Sequence, residues 1–182
     1  MIEIAWTAPM TAVATSVFTA AQFNQFVRDN LNETAPAKAT QEGSIFVGAG
    51  ANSIVERSIE SSLISTSEST TSTSYTDLAT TGPAVTVDTS SRAIVFVTAN
   101  LQNDTAMENV YASYEVSGDT SIGATDSRGA FMGAAYTNQV LRAGQIYLED
   151  TLTPGSNTFT MKYRVTGGTG KFTHRHLVVI PL

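Results

Sequence analysis

The chain has 182 residues and a mass of 19.3 kDa, room for one ordinary domain or for one domain with a short extra module. Apolar residues make up 42%, enough for a core, while charged residues are only 14% and the net charge is −6. That balance excludes a nucleic-acid binder, which needs a basic stripe to neutralise phosphates. The absence of cysteine excludes disulfides, thiolate zinc sites and a cysteine nucleophile.

No apolar run approaches the ~20 residues that cross a bilayer, so no membrane insertion is expected. Met1-Ile2-Glu3-Ile4-Ala5-Trp6 shows no basic segment followed by an apolar stretch, and the expected protein is made in the cytoplasm and not secreted. Ser and Thr fill roughly a quarter of the chain, a bias of β-rich surfaces and loops.

In chain order, residues 6–17 read as an extended arm, with Pro9 and no helical period. Thr19-Ala20-Ala21-Gln22 is a capping box, and Phe23, Phe26, Val27 and Leu31 follow at helical spacing on one face. The predicted helix has about three turns, too short to stand alone in water. Asn30 and Asn32 suit its end, and Pro36 cannot continue it. Residues 44–47 form a short strand and 48–52 a turn. Residues 58–74 are Ser/Thr-rich and read as a linker that becomes an edge strand near Tyr75.

Strand signals then follow closely. Residues 92–101 are apolar on both faces and belong in the centre of a sheet. Shorter signals cover 84–88, 110–117 and 129–136. Residues 139–143 and 146–152 alternate, with Ile146, Leu148 and Leu152 on one side. Pro154-Gly155-Ser156-Asn157 is a turn. In 157–166, Phe159, Met161, Tyr163 and Val165 point inward and Thr158, Thr160, Lys162 and Arg164 outward. Gly167 to Gly170 make a turn before a last strand over 171–182. About eight strands in roughly 110 residues, with no intervening helix, predict a mainly β protein. The expected architecture is an antiparallel jelly-roll-like β-sandwich over 61–182, preceded over 1–60 by the arm, one short amphipathic helix and a strand-turn.

Catalytic constellations do not emerge, and neither an enzyme nor a cofactor is expected. Gly167-Gly168-Thr169-Gly170-Lys171-Phe172 fails as a P-loop: Val165 stands at the first glycine position, and Phe172 where Ser or Thr would bind magnesium. His174-Arg175-His176 places two imidazoles on one face of a strand. One chain then supplies two of the four to six ligands a metal needs. Half-buried histidines sharing a face with Phe172 and Val178 are the preferred reading, and no metal is assigned. Asp119, Asp126 and Arg128 lie in the longest polar, glycine-rich interruption between strands. This is either a candidate ligand loop or an exposed connection. Trp6 either anchors the arm to a partner or packs on its own chain.

The N-terminal third carries a resemblance. Trp6-Thr7-Ala8-Pro9, Phe18-Thr19-Ala20-Ala21-Gln22-Phe23-Asn24, Val27-Arg28-Asp29-Asn30-Leu31 and Gly43-Ser44-Ile45-Phe46-Val47-Gly48-Ala49-Gly50-Ala51-Asn52-Ser53 resemble, in order and spacing, the opening of tailed-bacteriophage fibre and minor tail proteins. Leu152-Thr153-Pro154-Gly155-Ser156-Asn157-Thr158-Phe159 and the final strand resemble, less specifically, the small β-sandwiches that end such proteins.

The resemblance implies a virion component, a homotrimer attached through residues 1–60 to other tail or capsid proteins. Trp6 and Pro9 would anchor it, and the sandwich would be displayed toward a host surface glycan or protein. Phe23, Phe26, Val27 and Leu31 around a three-fold axis would gain ~1.5–3 kcal/mol each on burial. A chain this short, without shaft or repeat, implies a short fibre, a spike or a capsid decoration (head fibre). A free carbohydrate-binding module is the rival class, with one Trp and scattered Tyr for stacking on sugars.

Overall fold

The computed structural model describes residues 6–11 and 13–182. The leader reading of residues 1–5 lies outside them. The chain divides into two units, Met1–Ser58 and Ile59–Leu182.

In the first unit, α1 (Ala20–Phe23), a π-helical turn (Asn24–Arg28) and α2 (Asp29–Asn32) follow without a break. The capping box forms as the sequence predicts: the Gln22 N–H donates to Thr19 Oγ1 at 3.2 Å and the Thr19 N–H to Gln22 Oε1 at 2.9 Å. The π turn, closed by the Asp29 N–H on the Asn24 carbonyl, adds a residue to one turn. The helical phase slips there, so the four apolar side chains are unequally placed. Phe26 and Val27 are half-buried, whereas Phe23 and Leu31 are exposed.

The helix stops at Asn32, and Pro36 does not continue it but sits in the first turn of a second short helix, α3 (Ala35–Lys38), where its missing N–H costs nothing. β1 (Ile45–Gly50) then returns as β2 (Ser53–Arg57), an antiparallel hairpin with an irregularity at Gly48/Gly50. The turn read at 48–52 is thus shorter than expected, and its Asn52 takes φ +56°.

Glu56 on β2 holds the chain ahead of the hairpin. Its carboxylate accepts from the Thr40 N–H at 3.0 Å, the Thr40 hydroxyl at 2.6 Å, the Gln41 N–H at 3.0 Å and the Ser44 hydroxyl. These bonds, those of Ser44 and Thr40 first, hold its pKa down at about 2. A lowered carboxylate favours the folded turn above its ordinary value of 4.5 and loses that support as pH falls through about 2. The Thr40 and Gln41 amides will therefore exchange slowly at pH 5 and quickly in Glu56→Gln. A carbon-detected titration of Glu56 with its midpoint near 4.5 would refute the network.

The second unit has nine strands: β3 (Glu60–Ile64), β4 (Glu68–Thr70), β5 (Ala84–Thr89), β6 (Ala93–Asn103), β7 (Asn109–Gly118), β8 (Ala130–Gly133), β9 (Val140–Glu149), β10 (Gly155–Val165) and β11 (Gly170–Pro181). One sheet has the order β5-β10-β7-β8. The other has β3-β11-β6-β9, with β4 also on β11. All these pairs are antiparallel. The core lies between the sheets, a jelly-roll-like sandwich as expected. Val95, Val97 and Leu101 of central β6 face Phe159, Met161, Tyr163 and Val165 of β10, all fully buried.

Two expectations are corrected. Residues 58–74 are not a linker, because β3 and β4 pair with β11 along the sheet edge. Ser and Thr serve there because backbone hydrogen bonds, not side-chain burial, hold an edge strand. Residues 139–152 are not two strands, and Ile146, Leu148 and Leu152 do not share one side of a strand. β9 is continuous, its Ile146 and Leu148 are 61% and 41% exposed, and Leu152 is buried in the following loop. Alternation shows which residues share a face, not which face is inside.

Candidate functional site

At one end of the five-stranded sheet, two turns interlock. The Asn103 side chain donates to the Gly167 carbonyl at 3.0 Å, the Thr169 N–H to Asp104 Oδ1 at 2.8 Å, and the Asp104 N–H to the Thr169 carbonyl at 3.2 Å. Gly168 must be glycine here. Its φ is +67°, and a Cβ would fall 2.4–2.7 Å from oxygens of Thr105, Asn103 and Asp104. The glycine run is therefore a packed turn, and Phe172 beyond it is fully buried.

Beside these turns lies an open depression of about 350 Å³ lined by Ser69, Gln102, Asp104, Asn138, Thr169 and Lys171. Strand register places Ser69, Lys171 and Gln102 in one cross-strand row. The Gln102 amide donates to the Asn138 carbonyl and side-chain oxygens at 3.3 Å each. Asp104 is held below its ordinary pKa by Thr169, through its backbone N–H first, and by the Thr105 hydroxyl. Its charge persists at neutral pH. A carboxylate, two amides, hydroxyls and an exposed ammonium converge on this depression, a set suited to a hydroxyl-rich ligand. Sequence reading missed it, because four separate segments meet there. Its only local signal was the pairing of Asn103-Asp104-Thr105 with a glycine turn.

The loop residues Asp119, Asp126 and Arg128 are engaged within the sandwich. Asp119 Oδ2 accepts from the Ser156 N–H at 2.8 Å and closes the turn into β10. Asp126 pairs with Arg164 and accepts from the Tyr75 hydroxyl at 3.0 Å. Its pKa is lowered, by Arg164 above all. Arg128 Nε lies 2.7 Å from the buried carboxylate of Glu149, in an ion pair whose N–H is out of line for a hydrogen bond. Glu149 also accepts from the Tyr114 hydroxyl at 2.7 Å. The three residues do not form a cluster of their own.

The histidines depart from the expected common face with Phe172. Between Thr173 and His176 the pairing with β6 shifts register, and His174 takes φ +50°. The extra residue turns Arg175 into the core, fully buried, while His174 is exposed and His176 half-buried. Phe172 and Leu177 both point inward despite their odd spacing. Among the described residues no group of three or more His, Cys, Asp or Glu is placed to hold a metal.

In the first unit, Trp6 is 39% exposed and Pro9 is exposed. The arm is tied instead by Asn30, which the sequence suggested only as a helix-end residue. The Thr7 N–H donates to Asn30 Oδ1 at 2.9 Å, and Asn30 Nδ2 donates to the Thr7 carbonyl at 2.9 Å and the Phe26 carbonyl at 3.1 Å. The Trp6 N–H reaches the Asn52 carbonyl at 3.4 Å. Asn30 is thus the buried clamp of the Asp29-Asn30 pair.

No protein-family profile matches the chain, and no curated protein sequence matches it. Among solved structures it is similar over 69% of its length to Eiger TNF from S. frugiperda, with 9% identity, a TM-score of 0.48 and 92% of that chain covered. It is similar over 73% of its length to the infectious bursal disease virus VP2 subviral particle, with 9% identity, a TM-score of 0.41 and 36% of that chain covered. The Gx strain of the same virus gives 74%, 9% and 0.39, again covering 36% of that chain.

Proposed function

We propose that the chain is a structural, non-catalytic protein of a bacteriophage particle, in which the first unit attaches and trimerises and the sandwich is displayed. One observation carries this reading. Among the described residues of the first unit no apolar side chain is buried, and Asn30 alone is inside. Yet the unit displays Trp6, Val17, Phe18, Phe23, Leu31 and Phe46. A module of this size without a core needs a partner to hold its structure.

The arm, the helix with Phe23, Phe26, Val27 and Leu31, and the hairpin are accordingly assigned to contacts with sister copies and with the particle. β2 ends at Arg57 and β3 begins at Glu60, so two residues of chain connect the last strand of the first unit to the first strand of the second. That favours a capsid decoration or a short spike over a reaching fibre. The polar depression around Gln102, Asp104 and Lys171 is the proposed contact with a host glycan.

Quantitative mass spectrometry of purified particles is the test. Copies in multiples of the shell's symmetry sites identify a decoration, and a few copies identify a tail spike. Particles that lack the protein sink the proposal. Light scattering of the full chain should give at least three times 19.3 kDa, falling in Phe26→Asp. A monomer in both would remove the trimer.

A further inference from the structure

The two outer faces of the sandwich differ in chemistry. On the four-stranded sheet the outward side chains are mostly polar and paired, with Phe131 stacked on Tyr111 at the β8 edge. Thr86 and Thr158 hydroxyls pair at 2.8 Å, Lys162 bridges Asp77 at 2.8 Å and Glu115 at 3.1 Å, and Arg164 pairs with Asp126. The five-stranded sheet presents instead Ile94, Phe96, Ile146, Leu148, Val178 and Ile180. Register sets them in two cross-strand rows, Val178–Phe96–Ile146 and Ile180–Ile94–Leu148. In the next row His176 and Thr98 lie beside Gly144, where a Cβ would come within 3.0 Å of Thr98 Cγ2. The glycine keeps that part of the face flat.

We infer that this outer face is a contact surface for a second copy of this chain. Three arguments choose the occupant. The first is size. Three strands of 10–12 residues, with the five-residue β3 and three-residue β4 along the edge of β11, at ~3.3 Å per residue and ~4.8 Å between strands give on the order of 650 Å², near the ~800 Å² per partner of a stable interface.

The second is charge. The chain carries −6 and copies repel over most of their surface. The two apolar rows carry no charged side chain, and interface centres are depleted of charge in the same way. The third is shape. A contact between identical copies needs a surface compatible with itself, and a flat, uncharged sheet face stacks on another sheet at ~10 Å. The inference is independent of assembly through the first unit.

The test uses the full chain. Arg142→Cys places the only thiol on the outer side of β9 at the rim of the face, and a nitroxide is attached there. Dipolar coupling between labels on different copies is expected, with its loss in the added double variant Ile146→Asp/Leu148→Asp. At dilutions where the copies are separate, unfolding midpoints of the two labelled proteins should agree, since both aspartates stand at exposed positions of an edge strand. Coupling that survives the double variant overturns the inference. Absence of coupling at every protein concentration does so too, and would assign the face to an unlike partner. Phe26→Asp in the labelled chain separates the two readings. It should lower the particle mass if the helix assembles copies, and leave the coupling sensitive to Ile146→Asp/Leu148→Asp.

Discussion

Replacing Arg128 by methionine is expected to cost the sandwich about 3–5 kcal/mol, the usual result of breaking a buried ion pair from one side. Glu149 ends β9 with a side chain 2% exposed, and Arg128 is its one cationic partner among the described residues. Without the guanidinium, the carboxylate keeps only the Tyr114 hydroxyl. That phenol is a dependable donor, because burial, and then Glu149 itself, pushes its pKa up. One hydrogen bond of this kind contributes ~1.5–3 kcal/mol, less than an unpaired buried carboxylate loses. Arg128 also covers the Tyr147 ring at 5.6 Å, so methionine's apolar stem replaces part of the packing but none of the charge. Equilibrium urea unfolding measures the effect. Adding Glu149→Leu to Arg128→Met should recover much of the loss, because it removes the stranded charge. A single-variant loss below about 1 kcal/mol would show that water replaces the arginine.

The pair Glu68–Arg175 should respond with opposite signs at its two ends. Arg175 is fully buried, turned into the core by the irregularity at 173–176. Its partners are long: Glu68 at 3.4 Å, the Thr66 hydroxyl at 3.3 Å, and the Tyr163 ring at 5.5 Å. Nε and Nη1 have no hydrogen-bond partner among the described residues. Desolvation of the cation is therefore poorly compensated. Arg175→Met is expected to be neutral or stabilising by up to ~4 kcal/mol, and Glu68→Ala to destabilise by ~3–5 kcal/mol by leaving the cation alone.

The pH dependence follows from Glu68. Its pKa is lowered, first by Thr80, whose N–H donates at 2.9 Å, and less by Arg175. A depressed carboxylate stabilises above its ordinary value of 4.5 and loses that contribution as pH falls through the lower folded value. The stability gap between wild type and Glu68→Gln should thus be full at pH 7 and close progressively below pH 4.5. Equal destabilisation by both substitutions would mean that Arg175 is well solvated or well paired.

How much of this was legible follows from the range of each interaction. The capping box at Thr19 was legible because donor and acceptor lie three residues apart. The inward line of β10 was legible because turns bracket a clean alternation. The phase of the helix beyond Asn24 was not, since a π turn leaves no residue signature. Nor was the inside of β9. Its buried positions include Glu149, which is tolerated there only because Arg128 arrives from a distant turn.

The phage-like order of motifs in the first third pointed to assembly. The absence of any buried apolar side chain among that unit's described residues supports the proposal that it assembles. Sequence by itself determined the class of the fold, the helix start at Thr19 and the turns that bracket β10, all matters of local periodicity and backbone preference. Only the tertiary structure decided which face of each strand is buried, where Arg175 goes, and which polar residues meet in the depression at Lys171. Those outcomes depend on pairing between segments tens of residues apart, and near-neighbour chemistry does not encode which distant strand supplies the partner.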